Sequence, residues 1–136
     1  DRNQELTANR EIKLSISYVD AGISVLADPD RIKIVFDNLI TNAMKHTGGG
    51  GTIDLTARQE AGAICFEVTD SGVGIDDVHL PRLFEKFYRI EGDSSEGVGL
   101  GLSIVKDIIT VHGGQVGVKS ALGYGSTFWF SLPISV

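Results

Sequence analysis

The sequence is poor in the residues that cross-link a protein. Its 136 residues include one cysteine and three prolines. A lone cysteine cannot form an internal disulfide or a cysteine-based metal site, so Cys65, inside an apolar run, is expected to fill the protein interior. We therefore expect a reducing compartment, which points to the cytoplasm.

Basic residues are scarce relative to acidic ones. The net charge is -6 and the isoelectric point is about 4.9. This balance excludes the basic surface that nucleic acids and acidic membranes attract, so we expect neither as a partner. A phosphate-bearing ligand would have to be held by local groups and a metal ion.

Long apolar runs are absent as well. No run approaches the roughly 18 residues of a membrane-spanning helix, so we expect no membrane contact by this domain, although a longer parent protein can carry an anchor. A chain of 136 residues fits one domain with an adequate core, which we expect to be a monomer in isolation. Residues 1–10 are polar and are interpreted as the end of an upstream helix or linker, and residues 11–136 as the domain itself.

The central feature of the chain is a predicted helix with two faces. Asp-Pro-Asp at 28–30 predicts its start, and the glycines at 48–51 predict its end. Asn38, Asn42 and Lys45 project from one face by their spacing. A separate apolar stripe consists of Ile32, Val35, Phe36, Leu39, Ile40 and Ala43. Taken alone, the asparagines are equally typical of polar contacts between helices or of a solvated edge.

Alternation of apolar and polar residues predicts the strands. The extended segments are 12–18, 23–27, 52–58, 63–70, 115–119 and 126–132. In the segment 63–70, Ile64, Phe66 and Val68 share a face, and counting by two places Asp70 on that same face. A carboxylate directed to the buried side needs a hydrogen-bond donor to satisfy it.

Two glycine-rich segments follow. Residues 70–75 (Asp-Ser-Gly-Val-Gly-Ile) allow close backbone approach, although an ordinary turn has the same pattern. Residues 97–102 carry three alternating glycines and open an apolar helix that ends near His112; free N–H groups at such a helix start favour phosphate. Between them we predict a short helix at 78–84, an aromatic cluster of Phe84, Phe87 and Tyr88 in the core, and a polar loop that could form a lid.

These motifs, in this order, resemble the ATP-binding domain of sensor histidine kinases, within the superfamily that includes DNA gyrase, a heat-shock chaperone and mismatch-repair ATPases. The resemblance spans nearly the whole chain. The matching motifs are N-L-x-x-N-A-x-K-[HY]-[TS] at 38–47, D-x-G-x-G at 70–74, F-x-x-F-[YH] at 84–88, G-x-G-L-G-L at 97–102 and G-x-G-[ST]-x-F at 123–128. The resemblance implies an α+β, two-layer sandwich of the Bergerat type, with a mixed sheet of about five strands under three helices.

The resemblance also implies a role for individual residues. Asn38 and Asn42 would hold Mg²⁺ bridging the triphosphate, and Lys45 would neutralise phosphate charge. Asp70 would accept a hydrogen bond from the exocyclic amino group of adenine, and His46 would lie against the base. The implied catalytic residues are Asn38, Lys45 and, in the lid, Arg89. The other implied nucleotide-binding residues are Gly72, Gly74, Ile75, Phe87, Tyr88, Gly97, Val98, Gly99, Leu100, Gly101, Leu102 and Thr127.

The reaction is inferred from Asn38. Relatives that hydrolyse ATP, and the serine kinases that bind sigma-factor regulators, carry a glutamate at the corresponding position, and an amide cannot accept a proton in its place. The resemblance therefore implies a protein histidine kinase domain that donates the ATP γ-phosphoryl group to a histidine on a separate dimerisation domain, with a response regulator downstream. The alternatives are a nucleotide-gated interaction module without phosphoryl transfer and an anti-sigma type serine kinase.

Overall fold

The computed structural model describes residues 13–17, 25–88 and 101–134, and within these ranges it contains a five-stranded sheet and two α-helices. The elements are β1 (Lys13–Ser17), α1 (Pro29–His46), β2 (Thr52–Glu60), β3 (Ala63–Asp70), a 3-10 turn (Leu80–Arg82), α2 (Gly101–Val111), β4 (Val116–Ser120) and β5 (Ser126–Pro133). The strand order is β1-β2-β3-β5-β4; β1 pairs with β2 in parallel and every other pair is antiparallel. The predicted α+β sandwich with a mixed sheet is confirmed.

Helix α1 begins and ends as its sequence predicts. The Asp28 carboxylate accepts hydrogen bonds from the backbone N–H groups of Asp30 (3.0 Å) and Arg31 (3.3 Å), and Pro29 occupies the first turn. At the other end the Thr47 hydroxyl donates to the carbonyl of Ala43 at 2.7 Å, and glycines follow. These contacts set the two ends of α1, and its buried residues Val35, Leu39, Ile40, Ala43 and Met44 face the core.

The core lies between the helices and one face of the sheet. Along β5 every second residue is buried, which directs Ser126, Phe128, Phe130 and Leu132 to this inner face. Phe36 of α1 meets Phe130 edge to face, with ring centroids 5.2 Å apart, and Phe66 stacks on Phe130 at 4.9 Å. This aromatic cluster locks α1 against the middle of the sheet.

Two predicted elements differ from the structure. Of the strand predicted at 23–27, residues 25–27 contain only a single bridge between Val25 and Ile134, and residues 18–24 lie outside the described ranges. The helix predicted at 78–84 is only the 3-10 turn at Leu80–Arg82, because Pro81 removes a backbone donor. The third helix of the expected fold is therefore reduced to a turn in the described part of the chain. None of the helices described here is long and apolar enough to cross a membrane.

A neutral histidine joins the two helices. The Nδ1–H of His112 donates to the carbonyl of Ile108 at 2.8 Å, since a carbonyl can only accept, and Nε2 accepts from the backbone N–H of Asp28 at 3.1 Å. Both ring nitrogens are thus occupied. His112 therefore connects the C-terminal end of α2 to the N-cap of α1.

Replacing His112 with alanine is expected to lower the free energy of unfolding by about 1 kcal/mol, because two hydrogen bonds between backbone and side chain are lost. Urea unfolding followed by circular dichroism measures this change. Thr110→Ala, at an exposed position of the same helix, is the control. Equal stability of the two variants would contradict a role for His112 in joining the helices.

Candidate nucleotide-binding site

The site is built around a buried carboxylate at the end of β3. Asp70 lies on the inner face of the sheet and is only 3% exposed. Its Oδ1 accepts a hydrogen bond from the backbone N–H of Gly72 at 2.9 Å, whereas its Oδ2 is buried and has no hydrogen-bond partner among the described residues. A buried acceptor without a donor costs about 1–3 kcal/mol, so its retention indicates a ligand that donates to it.

The electrostatics of Asp70 reflect this burial. Loss of hydration raises the pKa of the carboxyl above its ordinary value, and this effect outweighs the backbone N–H of Gly72, the charge of His46 and the backbone of Ser126, which lower it. Burial thus destabilises the charged carboxylate, and any hydrogen-bond donor that reaches Oδ2 would stabilise it.

The first glycine segment packs between the end of α1 and the loop that joins β4 to β5. A Cβ atom at Gly72 would lie 2.0 Å from the carbonyl oxygen of His46, and one at Gly74, where φ is +78°, would lie 2.0 Å from that of Ala121. The next residue, Ile75, is buried in the core at 3% exposure. The glycines are therefore required for backbone packing, which holds Asp70 beside α1.

The predicted polar face of α1 forms the other side of the site. The Asn38 Nδ2 donates to the carbonyl of Ile34 at 3.1 Å, and its Oδ1 faces Gly101, where an added Cβ would lie 3.3 Å away. Helix α2 therefore begins beside Asn38. One turn further along α1, the Asn42 Nδ2 is buried without a hydrogen-bond partner in the described part of the protein. An unpaired amide group one turn from a helix N-terminus is suited to a polar, negatively charged ligand.

Two cationic or titratable residues close the end of α1. His46 Nδ1 donates to the carbonyl of Asn42 at 2.8 Å, which holds the half-buried ring near Asp70. Lys45 is exposed in the last turn of the helix. The structure thus places His46 close enough to Asp70 to influence its carboxyl group, with Lys45 on the solvent side.

Comparison with known proteins agrees with this geometry. The family model described as histidine kinase-, DNA gyrase B-, and HSP90-like ATPase matches residues 27–136. The chain belongs to this family. Further likenesses place it among the histidine kinases of the family.

The adaptive-response sensory kinase SasA of Synechococcus elongatus is 41% identical over 113 residues, which cover 82% of this chain and 29% of SasA. The catalytic domain of histidine kinase ThkA, in a nucleotide-free form, superposes with a TM-score of 0.84 at 30% identity, covering 96% of this chain and 85% of that one. Full-length ShkA in complex with AMPPNP gives a TM-score of 0.83 at 33% identity, over 99% of this chain and 29% of ShkA.

The chain spans less than a third of the length of the curated kinases it matches. The part that it does span is their ATP-binding catalytic domain, of the kind found in two-component signalling. ThkA has also been solved in complex with the response regulator protein TrrA.

One residue that was predicted to bind the nucleotide, Thr127, lies on the other face of the sheet. Thr127 lies on the outer face of the sheet, where its hydroxyl contacts that of Thr69 at 3.0 Å, so the prediction that it lines the site is wrong. Its neighbour Ser126 is the register partner of Asp70 on the inner face and is 4% exposed. Counting by two from Phe128 would have identified Ser126, which is also the [ST] position of the closing motif.

The aromatic motif of the domain is not one buried cluster. Phe84 and Tyr88 pack against the core, whereas Phe87 is 64% exposed with φ at +67°. The Tyr88 hydroxyl hydrogen-bonds to Nδ1 of His79, and the guanidinium of Arg82 lies 4.7 Å from the Tyr88 ring centroid. Tyr88 is thus fixed from two sides, and Phe87 is directed to solvent instead of the core.

The predicted lid falls in the gap between residues 88 and 101 of the described ranges. Arg89 and the glycine segment Gly97, Val98, Gly99 and Leu100 lie outside the described residues. The last two residues of that segment, Gly101 and Leu102, begin α2, and Leu102 packs against the core. The predictions for the lid residues remain predictions.

Proposed function

We propose that this domain binds ATP together with Mg²⁺ and donates the γ-phosphoryl group to a histidine on a separate dimerisation domain. The observation that carries the proposal is the pair of groups at opposite ends of the site. At one end, Asp70 keeps a buried oxygen free; at the other, Asn38 faces the start of α2.

Adenine fits the first end. Its exocyclic amino group is a donor that matches Oδ2 of Asp70, while the Gly72 N–H holds Oδ1 in place. Guanine carries an acceptor at the same ring position and would meet the carboxylate with repulsion. This contact supports adenine selectivity by a single buried carboxylate.

The triphosphate fits the second end. The N–H groups at the start of α2 and the Lys45 ammonium favour negative charge there. By resemblance to the family, the amide oxygens of Asn38 and Asn42 are the protein ligands proposed for Mg²⁺. When bound, Mg²⁺ supplies charge neutralisation for the transferred phosphoryl group.

The side chains of the domain favour transfer to an imidazole over hydrolysis. Asn38 cannot take a proton from water, whereas a neutral imidazole nitrogen attacks without a base. The three histidines do not suit the acceptor role: both nitrogens of His112 are occupied, and none of His46, His79 and His112 is followed by an acidic residue, as the acceptor histidine of the family is. We therefore place the acceptor on another segment or chain, with a response regulator as the next acceptor.

Calorimetric titration with AMPPNP and with the matching GTP analogue, with and without Mg²⁺, tests the binding on which this function depends. The proposal predicts magnesium-assisted binding of the adenine form and at least about 100-fold weaker binding of the guanine form. Equal binding of the two bases, or no binding of either, would overturn it.

Asn42→Ala is expected to weaken binding of the magnesium complex of AMPPNP by about 10-fold, with a smaller loss when EDTA is present, because one proposed metal ligand is removed. Thr41→Ala, at the neighbouring exposed position, is the matched control. A loss that is the same with Mg²⁺ and with EDTA would assign Asn42 to helix packing instead.

A further inference from the structure

A row of polar side chains crosses the inner face of the sheet. Ser120 of β4 is the register partner of Ser126 of β5, and Ser126 is the register partner of Asp70 of β3. Ser120 lies at the end of its strand, outside every predicted motif, and is half-buried. The three residues are thus neighbours in one line across three strands.

The hydroxyl of Ser120 makes three contacts. It accepts from the backbone N–H of Ile75 at 2.7 Å, donates to the carbonyl of Gly125 at 2.8 Å, and lies 2.8 Å from the hydroxyl of Ser126. A serine hydroxyl has one proton, and the Gly125 carbonyl can only accept. The proton in the third contact must therefore come from Ser126, which donates to Ser120.

This direction has a consequence for Asp70. The only hydroxyl proton of Ser126 is already donated to Ser120, so Ser126 has no hydroxyl proton to donate to the Asp70 carboxylate beside it. In agreement, Oδ2 of Asp70 has no hydrogen-bond partner within the described ranges. Side chains of directly opposed strand residues lie about 4.5–5.5 Å apart at Cβ, which is within reach of a serine-to-carboxylate hydrogen bond.

We propose that Ser120 is a positioning residue that keeps the free oxygen of Asp70 available to the adenine amino group by holding the proton of Ser126. The proposal rests on the proposed ATP-binding function. Without the Ser120 hydroxyl, the Ser126 hydroxyl turns toward Asp70 and donates to Oδ2. The adenine amino group must then displace this internal donor.

The orientation is tested without nucleotide by NMR titration of the Asp70 carboxyl carbon. In Ser120→Ala the new donor stabilises the carboxylate, so the pKa of Asp70 falls relative to the wild type. In the double variant Ser120→Ala/Ser126→Ala the donor is gone and the pKa rises again, whereas Ser120→Thr, which retains a hydroxyl, titrates as the wild type does. An unchanged pKa of Asp70 in Ser120→Ala overturns the proposal. A pKa that falls equally in Ser120→Ala and in the double variant also overturns it, because the change would then not depend on the Ser126 hydroxyl.

The consequence for ligand binding is measured by calorimetry with AMPPNP. We expect Ser120→Ala to bind about 10-fold more weakly, and the added Ser126→Ala change to restore at least half of the loss on a logarithmic scale. A double variant no tighter than Ser120→Ala contradicts the proposal. If the wild-type protein binds no AMPPNP, both the proposed function and the positioning role of Ser120 are overturned. If the wild type binds AMPPNP and Ser120→Ala binds it equally well, only the positioning role of Ser120 is overturned.

Discussion

Asp70→Asn is expected to lower the affinity for ATP by about 100-fold or more. The Gly72 N–H that donates to Oδ1 selects the amide oxygen for that position. The amide nitrogen then replaces Oδ2 and faces the adenine amino group, so that two donors oppose each other. The variant retains the size and shape of the side chain, and the loss is therefore one of hydrogen-bond matching and not of packing.

Calorimetry with AMPPNP measures this loss. Asp77→Asn, an exposed position after the first glycine segment, removes the same charge away from the carboxylate and is expected to bind as the wild type does. If Asp70→Asn bound AMPPNP as tightly as Asp77→Asn, the carboxylate would have no part in recognition of the base.

The same variant is expected to be more stable than the wild type without nucleotide. Burial raises the native pKa of Asp70 above the ordinary value of 3.8, so between these two values the native state binds more protons than the unfolded state. Wild-type stability therefore falls as pH rises through this window, and the neutral amide avoids this loss. Urea unfolding from pH 3 to pH 8 should show Asp70→Asn gaining about 1 kcal/mol over the wild type, with the gain constant above the native pKa. If the stability gain of Asp70→Asn over the wild type grew as pH falls, the raised native pKa of Asp70 would be contradicted.

The second large effect is expected at Gly125, which holds the end of β3 in place. Its φ is +78°, and an added Cβ would lie 2.1 Å from the carbonyl oxygen of Asp70. Gly123, in the same loop, has a similar φ of +84° but no atom within 4 Å of the added Cβ. The two positions therefore share the cost of a left-handed backbone and differ only in crowding.

Gly125→Ala is expected to lower the free energy of unfolding by about 3 kcal/mol or more, and Gly123→Ala by about 1 kcal/mol, the cost of the backbone conformation alone. Urea unfolding of both variants gives the difference. Gly125→Ala should also weaken AMPPNP binding where it remains folded, since relief of the clash must move Asp70. Equal losses of stability would show that crowding against β3 is unimportant.

The sequence predicted the parts of the site that depend on regular periodicity. The alternation of β3 placed Asp70 on the inner face, and the cap at Asp28 with the helical spacing placed Asn38 and Asn42 together. The same alternation, counted back from Phe128, places Ser126 on the inner face, whereas the motif-based prediction chose its neighbour Thr127 as the binding residue.

Other features depend on tertiary contacts that no local pattern carries. The outward direction of Phe87 follows from a positive φ and from the contacts of Tyr88 with His79 and Arg82. The direction of the Ser126 proton follows from a residue in another strand, Ser120, and from a loop carbonyl. A short hydrophobic segment near a proline, as at 78–84, does not distinguish an α-helix from a 3-10 turn before packing is known.

The most direct test of the proposed function is phosphoryl transfer in trans. The domain is mixed with γ-labelled ATP, Mg²⁺ and a purified dimerisation domain of a sensor histidine kinase, a dimeric helical hairpin that carries the acceptor histidine. The account predicts label on the hairpin that is stable to base and labile to acid, absent with Asp70→Asn and absent when the acceptor histidine is replaced by alanine. Rapid release of inorganic phosphate without the hairpin, and no labelled histidine with it, would contradict the assignment of Asn38 and identify an ATP-hydrolysing domain.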